Sequence, residues 1–111
     1  MTILRSQQGP VAILSIVGPI VEDGLEALDK ELDRCLNSGS SKIVLEMRQV
    51  PFIDSAGLEK IQSVVLHFGK RGGDIRVCAL NDVCRDIFLC TRMESFVQVY
   101  DDRESAVRSL V

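Results

Sequence analysis

The sequence predicts a single α/β domain built on a mixed, mostly parallel β-sheet, with about five strands and about four α-helices. Short β-branched segments alternate with segments whose apolar residues recur every three or four positions, as when strands and helices alternate along one chain. The first two apolar segments are separated only by a turn, so an antiparallel pair must join an otherwise parallel sheet. A chain of 111 residues can bury one core, and we expect one domain over residues 1–111.

The predicted order of elements is β-β-α-β-α-β-α-β-α. "TILRS" and "VAILSIVG" are the strands of a hairpin around the Gln7–Pro10 turn. A helix is predicted from Val21, because apolar residues step by four and three positions as far as Cys35, and Asn37-Ser38-Gly39 ends it. "KIVLEM" then has the β-branched composition of a buried strand.

The second half of the chain continues the alternation. A second helix begins near Ser55 and stops at Gly72-Gly73, and "DIRVCAL" follows as a strand. The third helix is predicted to start near Asn81 or Asp82, "FVQVY" is the last strand, and Asp102 opens the final helix. The inner faces of these helices are predicted to be Leu58, Ile61, Val65 and Phe68; Val83, Cys84, Ile87 and Phe88; and Ala106, Val107, Leu110 and Val111.

Charge and hydropathy exclude two classes of partner. The net charge is −3 and no run of Lys and Arg is longer than Lys70-Arg71, so a nucleic-acid surface is not expected. No apolar run approaches the roughly 20 residues of a membrane span. The first ten residues do not resemble a signal peptide, and we expect a cytoplasmic protein without membrane insertion.

Cysteine and histidine usage predicts neither a metal site nor a catalytic site. The four cysteines (Cys35, Cys78, Cys84 and Cys90) form no C-x-x-C pair, and we expect reduced, buried thiols. Glycine-rich phosphate-binding motifs are missing, so no cofactor is expected. The single histidine, His67, lies twelve residues after Ser55, about 18 Å along one helix, which is too far for a catalytic triad. We therefore predict a protein that is not an enzyme.

The stretch "PFIDSAGLEKI", residues 51–61, is the strongest candidate site. Functional groups gather where strands of such a sheet lead into helices, and only this junction places a nucleophile-type side chain at a helix start. Gly57 permits close approach of another backbone segment. The residues alone leave two interpretations open: Asp54 or Ser55 simply caps the helix, or a phosphate on Ser55 switches binding at an exposed apolar junction. That junction would comprise Pro51, Phe52, Ile53 and Leu58.

The chain resembles a STAS domain of the stand-alone anti-sigma factor antagonist type. "FIDSAGL", Phe52–Leu58, is similar to the family's Asp-Ser-(Ser/Thr/Ala)-Gly-Leu signature, and "KIVLEM", "IRVCAL" and "VCRDIFLCTRMESFVQVYDD" extend the resemblance over nearly the whole chain. The resemblance implies that Ser55 is phosphorylated by a partner anti-sigma factor, an ATP-dependent serine kinase. Unphosphorylated, the bacterial antagonist would capture this kinase and free the sigma factor, and a metal-dependent serine phosphatase would reset it.

The resemblance also implies a partner-binding surface that joins the signature to the Gly18–Asp23 loop. Two residues depart from the family pattern: Val21 stands where many members have aspartate, and Glu59 stands where antagonists often have a small residue. The alternative is a constitutive STAS scaffold subunit of a lipid-transport or stress-sensing complex, in which Ser55 is only a helix cap. The expected contact residues are Gly18, Ile20, Glu22, Asp23, Phe52, Asp54, Ala56, Gly57, Leu58 and Glu59.

Overall fold

The computed structural model describes residues 1–111 and contains one five-stranded sheet with spatial order β1-β2-β3-β4-β5. Strands β1 and β2 are antiparallel, and β2 to β5 are parallel to one another, which confirms the predicted mixed sheet. The strands are β1 (Thr2–Gln8), β2 (Val11–Val17), β3 (Lys42–Gln49), β4 (Asp74–Cys78) and β5 (Gln98–Tyr100). The hairpin turn is shorter than predicted, since β1 continues to Gln8 and Gly9 turns the chain at φ +58°.

Four α-helices follow the predicted order, which is therefore confirmed. Each of β2, β3, β4 and β5 leads into a helix. The helices are α1 (Leu25–Asn37), α2 (Ser55–Lys70), α3 (Asp82–Thr91) and α4 (Arg103–Arg108), and short 3-10 turns lie at Glu22–Gly24 and Met93–Ser95.

The predicted start of α1 at Val21 is wrong. Val21 is extended, with φ −132° and ψ 165°, and the chain turns through the 3-10 segment Glu22–Gly24 before α1 begins at Leu25. The reason is a short parallel bridge between Ile20 and Ile53. Its backbone hydrogen bonds keep the chain extended just where the apolar spacing favours a helix.

The sheet has a core on each face, and the two cores differ in size. Helices α1, α2 and α3 cover one face, where the larger core includes Leu28 of α1, Ile61 of α2 and Phe88 of α3. Helix α4 alone covers part of the other face. The smaller core there comprises Val11, Ile13, Val44, Cys78, Ala106, Val107 and Leu110.

Three residues predicted to be buried are exposed. Val83 is 52% exposed, because Cys84 and Phe88 are the residues that α3 turns into the core. Cys90, also on α3, is exposed, whereas the other three cysteines are buried as expected. Val111 lies three residues beyond the end of α4 and its side chain has no core to enter.

Candidate functional site

Asp54 is the N-cap of α2. Its backbone is extended, and its Oδ1 atom accepts a hydrogen bond from the backbone N–H of Gly57 at 2.7 Å. Capping by a side-chain oxygen three residues before the bonded N–H is the usual way to satisfy the first turn of a helix. Of the two residues considered for the cap, Asp54 therefore fills the role and Ser55 does not.

Ser55 is the first residue of α2 and is exposed to solvent. Its hydroxyl group makes no hydrogen bond within the protein, and neither do the backbone N–H groups of Ser55 and Ala56. A helix start combines such free N–H groups with positive potential, which favours negative charge. The fold thus leaves an unengaged hydroxyl at a position that tolerates a phosphate.

Asp54 also joins the signature to the Gly18–Asp23 loop. Its second carboxylate oxygen, Oδ2, accepts a hydrogen bond from the backbone N–H of Glu22 at 3.2 Å. The Ile20 N–H donates to the Phe52 carbonyl and the Asp54 N–H donates to the Ile20 carbonyl, each at 3.2 Å. The two loops that the sequence placed together are therefore hydrogen-bonded to one another beside Ser55.

Close packing explains why position 57 is a glycine, and it confirms the close backbone approach expected there. A Cβ atom at Gly57 would lie 2.2 Å from the carbonyl oxygen of Ile20 and 2.8 Å from Cγ2 of Ile53. Only glycine lets α2 approach the Ile20–Ile53 bridge this closely. Because glycine has no side chain, α2 can hold Ser55 close to the Gly18–Asp23 loop.

The expected contact residues divide by exposure. Glu22, Asp23, Phe52 and Glu59 are exposed, and Gly18, Asp54, Ala56 and Leu58 are partly exposed. Ile20 and Gly57 are buried, so their side chains shape the surface and are not available to a partner. Ile53 was expected in the exposed apolar junction and is instead buried, because the bridge to Ile20 turns it into the main core.

The junction between β4 and α3 is hydrogen-bonded to the loop between β3 and α2. The residue responsible is Asn81, which the sequence analysis identified only as a helix cap. Asn81 caps α3 by accepting from the Cys84 N–H at 2.8 Å, and its Nδ2 atom donates to the Val50 carbonyl at 2.9 Å. The Cys84 thiol donates to the same carbonyl at 3.4 Å. The hydrogen bond from Asn81 to Val50 joins residues 31 positions apart, and such a contact leaves no local pattern in the sequence. The sequence therefore predicted the capping role of Asn81 but not its bond to Val50.

A separate polar cluster holds α4 on the opposite face of the sheet. The guanidinium group of Arg103 donates to both carboxylate oxygens of Glu46, at 3.0 and 2.9 Å, and the Ser15 hydroxyl donates to one of them at 2.9 Å. The hydrogen bond from Arg103 is the main reason that the pKa of Glu46 lies below its usual value. Burial beneath α4 raises the pKa of the Cys78 thiol to about 12. These contacts hold α4 against the sheet, and the Cys78 thiol is fully buried.

The structure contains no group of three or more His, Cys, Asp or Glu side chains arranged to hold a metal ion. None of its helices combines the length and the apolar character needed to cross a bilayer.

Comparison with known proteins gives consistent matches. The model of the STAS domain family matches residues 2–106. BtrV of Bordetella bronchiseptica, a proposed anti-sigma factor antagonist, is 27% identical over 94 residues, which cover 85% of this chain and 81% of BtrV. The crystal structure of a proposed anti-sigma factor antagonist of Thermotoga maritima is similar with a TM-score of 0.88 and 23% identity, over 96% of this chain and 92% of that one.

The fold is also shared with SpoIIAA, an anti-sigma factor antagonist of Bacillus whose structure is known in two states. The TM-score is 0.71 for the unphosphorylated form, over 97% of this chain and 96% of SpoIIAA, and 0.72 for the phosphorylated form, over 99% and 100%. At 12% identity these two likenesses concern the fold alone.

Proposed function

Because the chain belongs to the STAS domain family, we propose that it is an anti-sigma factor antagonist regulated by phosphorylation of Ser55. Without phosphate, it binds an anti-sigma factor serine kinase and so releases the sigma factor. When Ser55 is phosphorylated, the complex with the kinase dissociates. The name of BtrV supports the antagonist role, and the family signature at Asp54-Ser55 supports the position of the switch.

The observation that carries the proposal is the unengaged hydroxyl of Ser55. Asp54 already caps α2, so the fold has no use for a hydroxyl at the next residue. Ser55 is exposed, and Phe52, three residues earlier in the same loop, is 46% exposed. An accessible hydroxyl and an exposed aromatic residue in one short loop suit a residue that is modified at a binding surface.

The phosphorylation step needs only the hydroxyl from this chain. The Ser55 oxygen attacks the γ-phosphorus of ATP held by the kinase, the new O–P bond forms as the bond to ADP breaks, and the hydroxyl proton is released. The product carries about 1.5 to 2 additional negative charges at pH 7. A metal-dependent serine phosphatase returns the hydroxyl by hydrolysis. The chain itself is a substrate and a binding protein, acting in the cytoplasm.

The charge would disrupt binding because of the groups around it. Glu59 lies four residues after Ser55, on the same side of α2, and Glu22 is held beside the cap by Asp54. Like charges four residues apart on a helix destabilise by a few tenths of a kcal/mol, so the fold itself survives. A partner surface packed on Phe52 would instead have to bury a dianion, which costs far more unless the charge is paired. SpoIIAA, with the same fold, is known in both states.

The test compares three immobilised proteins as baits for a lysate of the cells that make the protein: wild type, Ser55→Ala and Ser55→Asp. We expect one ATP-binding protein to be retained by wild type and Ser55→Ala and to be lost from Ser55→Asp. Circular dichroism of each bait controls for folding. If all three baits retain the same proteins, the switch is refuted and the constitutive scaffold is supported.

A further inference from the structure

The start of α3 is hydrogen-bonded to the loop that carries Ser55. Asn81 and Cys84 both donate to the carbonyl of Val50, and Asn81 is also 3.5 Å from the carbonyl of Pro51. The next residue along that loop is Phe52. The first turn of α3 and the exposed ring of Phe52 therefore belong to the same edge of the molecule.

The two flanks of α3 face different neighbours. Cys84 and Phe88 point into the core, and Arg85 lies 3.6 Å from Asp101, which directly follows β5. A residue two positions before Arg85 is turned by about 200° around a helix, so Val83 lies on the other flank, toward α2. No hydrogen bond or ion pair joins α2 to α3, whereas Lys60 ties the opposite flank of α2 to Asp29 of α1 at 2.8 Å.

The flank of α2 that faces α3 is apolar as well. Leu58 lies on the side of α2 away from Lys60, is partly exposed, and packs against the main core. Val83 is 52% exposed and Phe52 is 46% exposed. Three exposed or partly exposed apolar residues from different elements of the fold therefore lie at this edge: Phe52, Leu58 and Val83, called the junction patch below.

The charged residues close to the junction patch in the sequence are mostly acidic. No Lys or Arg occurs in residues 49–59 or 78–84. Of the basic residues that flank these ranges, Lys60 and Arg85 each lie beside a carboxylate, and Arg48 lies on the other face of the sheet, near Glu46 and Arg103. An apolar centre with a charged rim is the usual composition of a protein-binding surface. The exposed acidic residues of the rim are Glu59 on α2, and Asp82 and Asp86 on α3.

We infer that the junction patch is a part of the partner surface that the family signature does not include, and that Val83 contributes directly to binding. The occupant is the anti-sigma factor proposed above, which would present an apolar side chain flanked by basic residues. Continuity with the Ser55 loop supports this partner, and the acidic rim predicts the basic residues on its surface. The inference rests on the proposed function and extends it to α3.

The test measures the affinity of variants for one defined partner: the purified protein that wild type retains and Ser55→Asp loses. Val83→Glu is expected to weaken binding about tenfold or more, since a carboxylate would be buried in an apolar contact against an acidic rim. Leu89→Glu is the matched control. Leu89 is 57% exposed on the same helix but on the flank toward β5, and its substitution should change the affinity by less than about twofold.

Val83→Ala serves as a second variant, because it removes the apolar contact without adding charge, and a loss of affinity of about threefold or more is expected. Equal affinities of Val83→Glu, Leu89→Glu and wild type would overturn the inference while leaving the proposed function intact, provided that Ser55→Asp still loses the partner. If Ser55→Asp binds as wild type does, the proposed function itself fails.

Discussion

Replacing Gly57 by alanine should destabilise the protein, although alanine is the better helix former. Helix propensity alone favours Gly57→Ala by about 1 kcal/mol. The new Cβ atom, however, would lie 2.2 Å from the Ile20 carbonyl oxygen, 2.8 Å from Cγ2 of Ile53 and 3.0 Å from Cγ2 of Ile20. The nearest of these is a backbone atom, so no change of rotamer can relieve the contact. Helix α2 or the Ile20 segment has to move.

The contacts around Gly57 determine how much the free energy of unfolding should decrease in Gly57→Ala. Moving the Ile20 segment weakens its two backbone hydrogen bonds to the Phe52–Asp54 segment, each worth about 1 kcal/mol. Overpacking against the two isoleucine side chains costs about 1–3 kcal/mol. After subtraction of the gain in helix propensity, Gly57→Ala should lower the free energy of unfolding by about 2–4 kcal/mol. The free energy of unfolding of a domain of this size is about 5–15 kcal/mol, so the variant should remain folded.

Equilibrium unfolding in urea, followed by circular dichroism, measures this loss. Gly69→Ala is the control in the same helix, because a Cβ atom at Gly69 meets nothing within 4 Å. This control should be stabilised by up to about 1 kcal/mol. The reasoning is refuted if Gly57→Ala is as stable as wild type, since α2 and the Gly18–Asp23 loop would then not be in the close contact described.

Three further predictions follow from single contacts. Asp54→Ala should lower the free energy of unfolding by about 1–2 kcal/mol and Ser55→Ala by less than about 0.5 kcal/mol, since only Asp54 caps α2; equal losses in urea unfolding would contradict this. Because Arg103 lowers the pKa of Glu46, their contribution to stability is complete above the ordinary glutamate pKa and is lost as the pH falls through the lowered one. As the pH falls from roughly 7 to 3, the free energy of unfolding of Glu46→Gln should therefore decrease less than that of wild type. An equal decrease in both proteins would show that the Glu46–Arg103 pair does not stabilise the fold. In the folded protein only Cys90 should react rapidly with a thiol reagent such as Ellman's reagent, and a second fast thiol would show that the buried cysteines are accessible.

The order of strands and helices was predictable because each element carries its own local pattern. The stripe of Leu28, Leu32 and Cys35 is buried in α1 as its spacing indicates, and Asn81 and Asp102 cap α3 and α4. Such signals lie within a few residues of the feature that they predict. They account for the fold class and for the position of the candidate site after β3.

Contacts between distant segments explain what the sequence did not predict. The start of α1 and the burial of Ile53 both result from the Ile20–Ile53 bridge, which is also the backbone segment that Gly57 lets α2 approach. Helical spacing placed Val83 inside, but the direction in which α3 turns its inner face is set by the packing of Cys84 and Phe88. The attachment of α3 to the Ser55 loop likewise depends on tertiary contacts.

Phosphate on Ser55, and its effect on binding, tests the account most directly. The purified partner retained by wild type is mixed with wild type or Ser55→Ala and with ATP and magnesium, and mass spectrometry locates phosphate while size-exclusion chromatography follows the complex. The account predicts one phosphoryl group on Ser55 of wild type and dissociation of that complex, with neither change in Ser55→Ala. Absence of phosphate from Ser55, or a phosphorylated protein that still binds its partner, would contradict it.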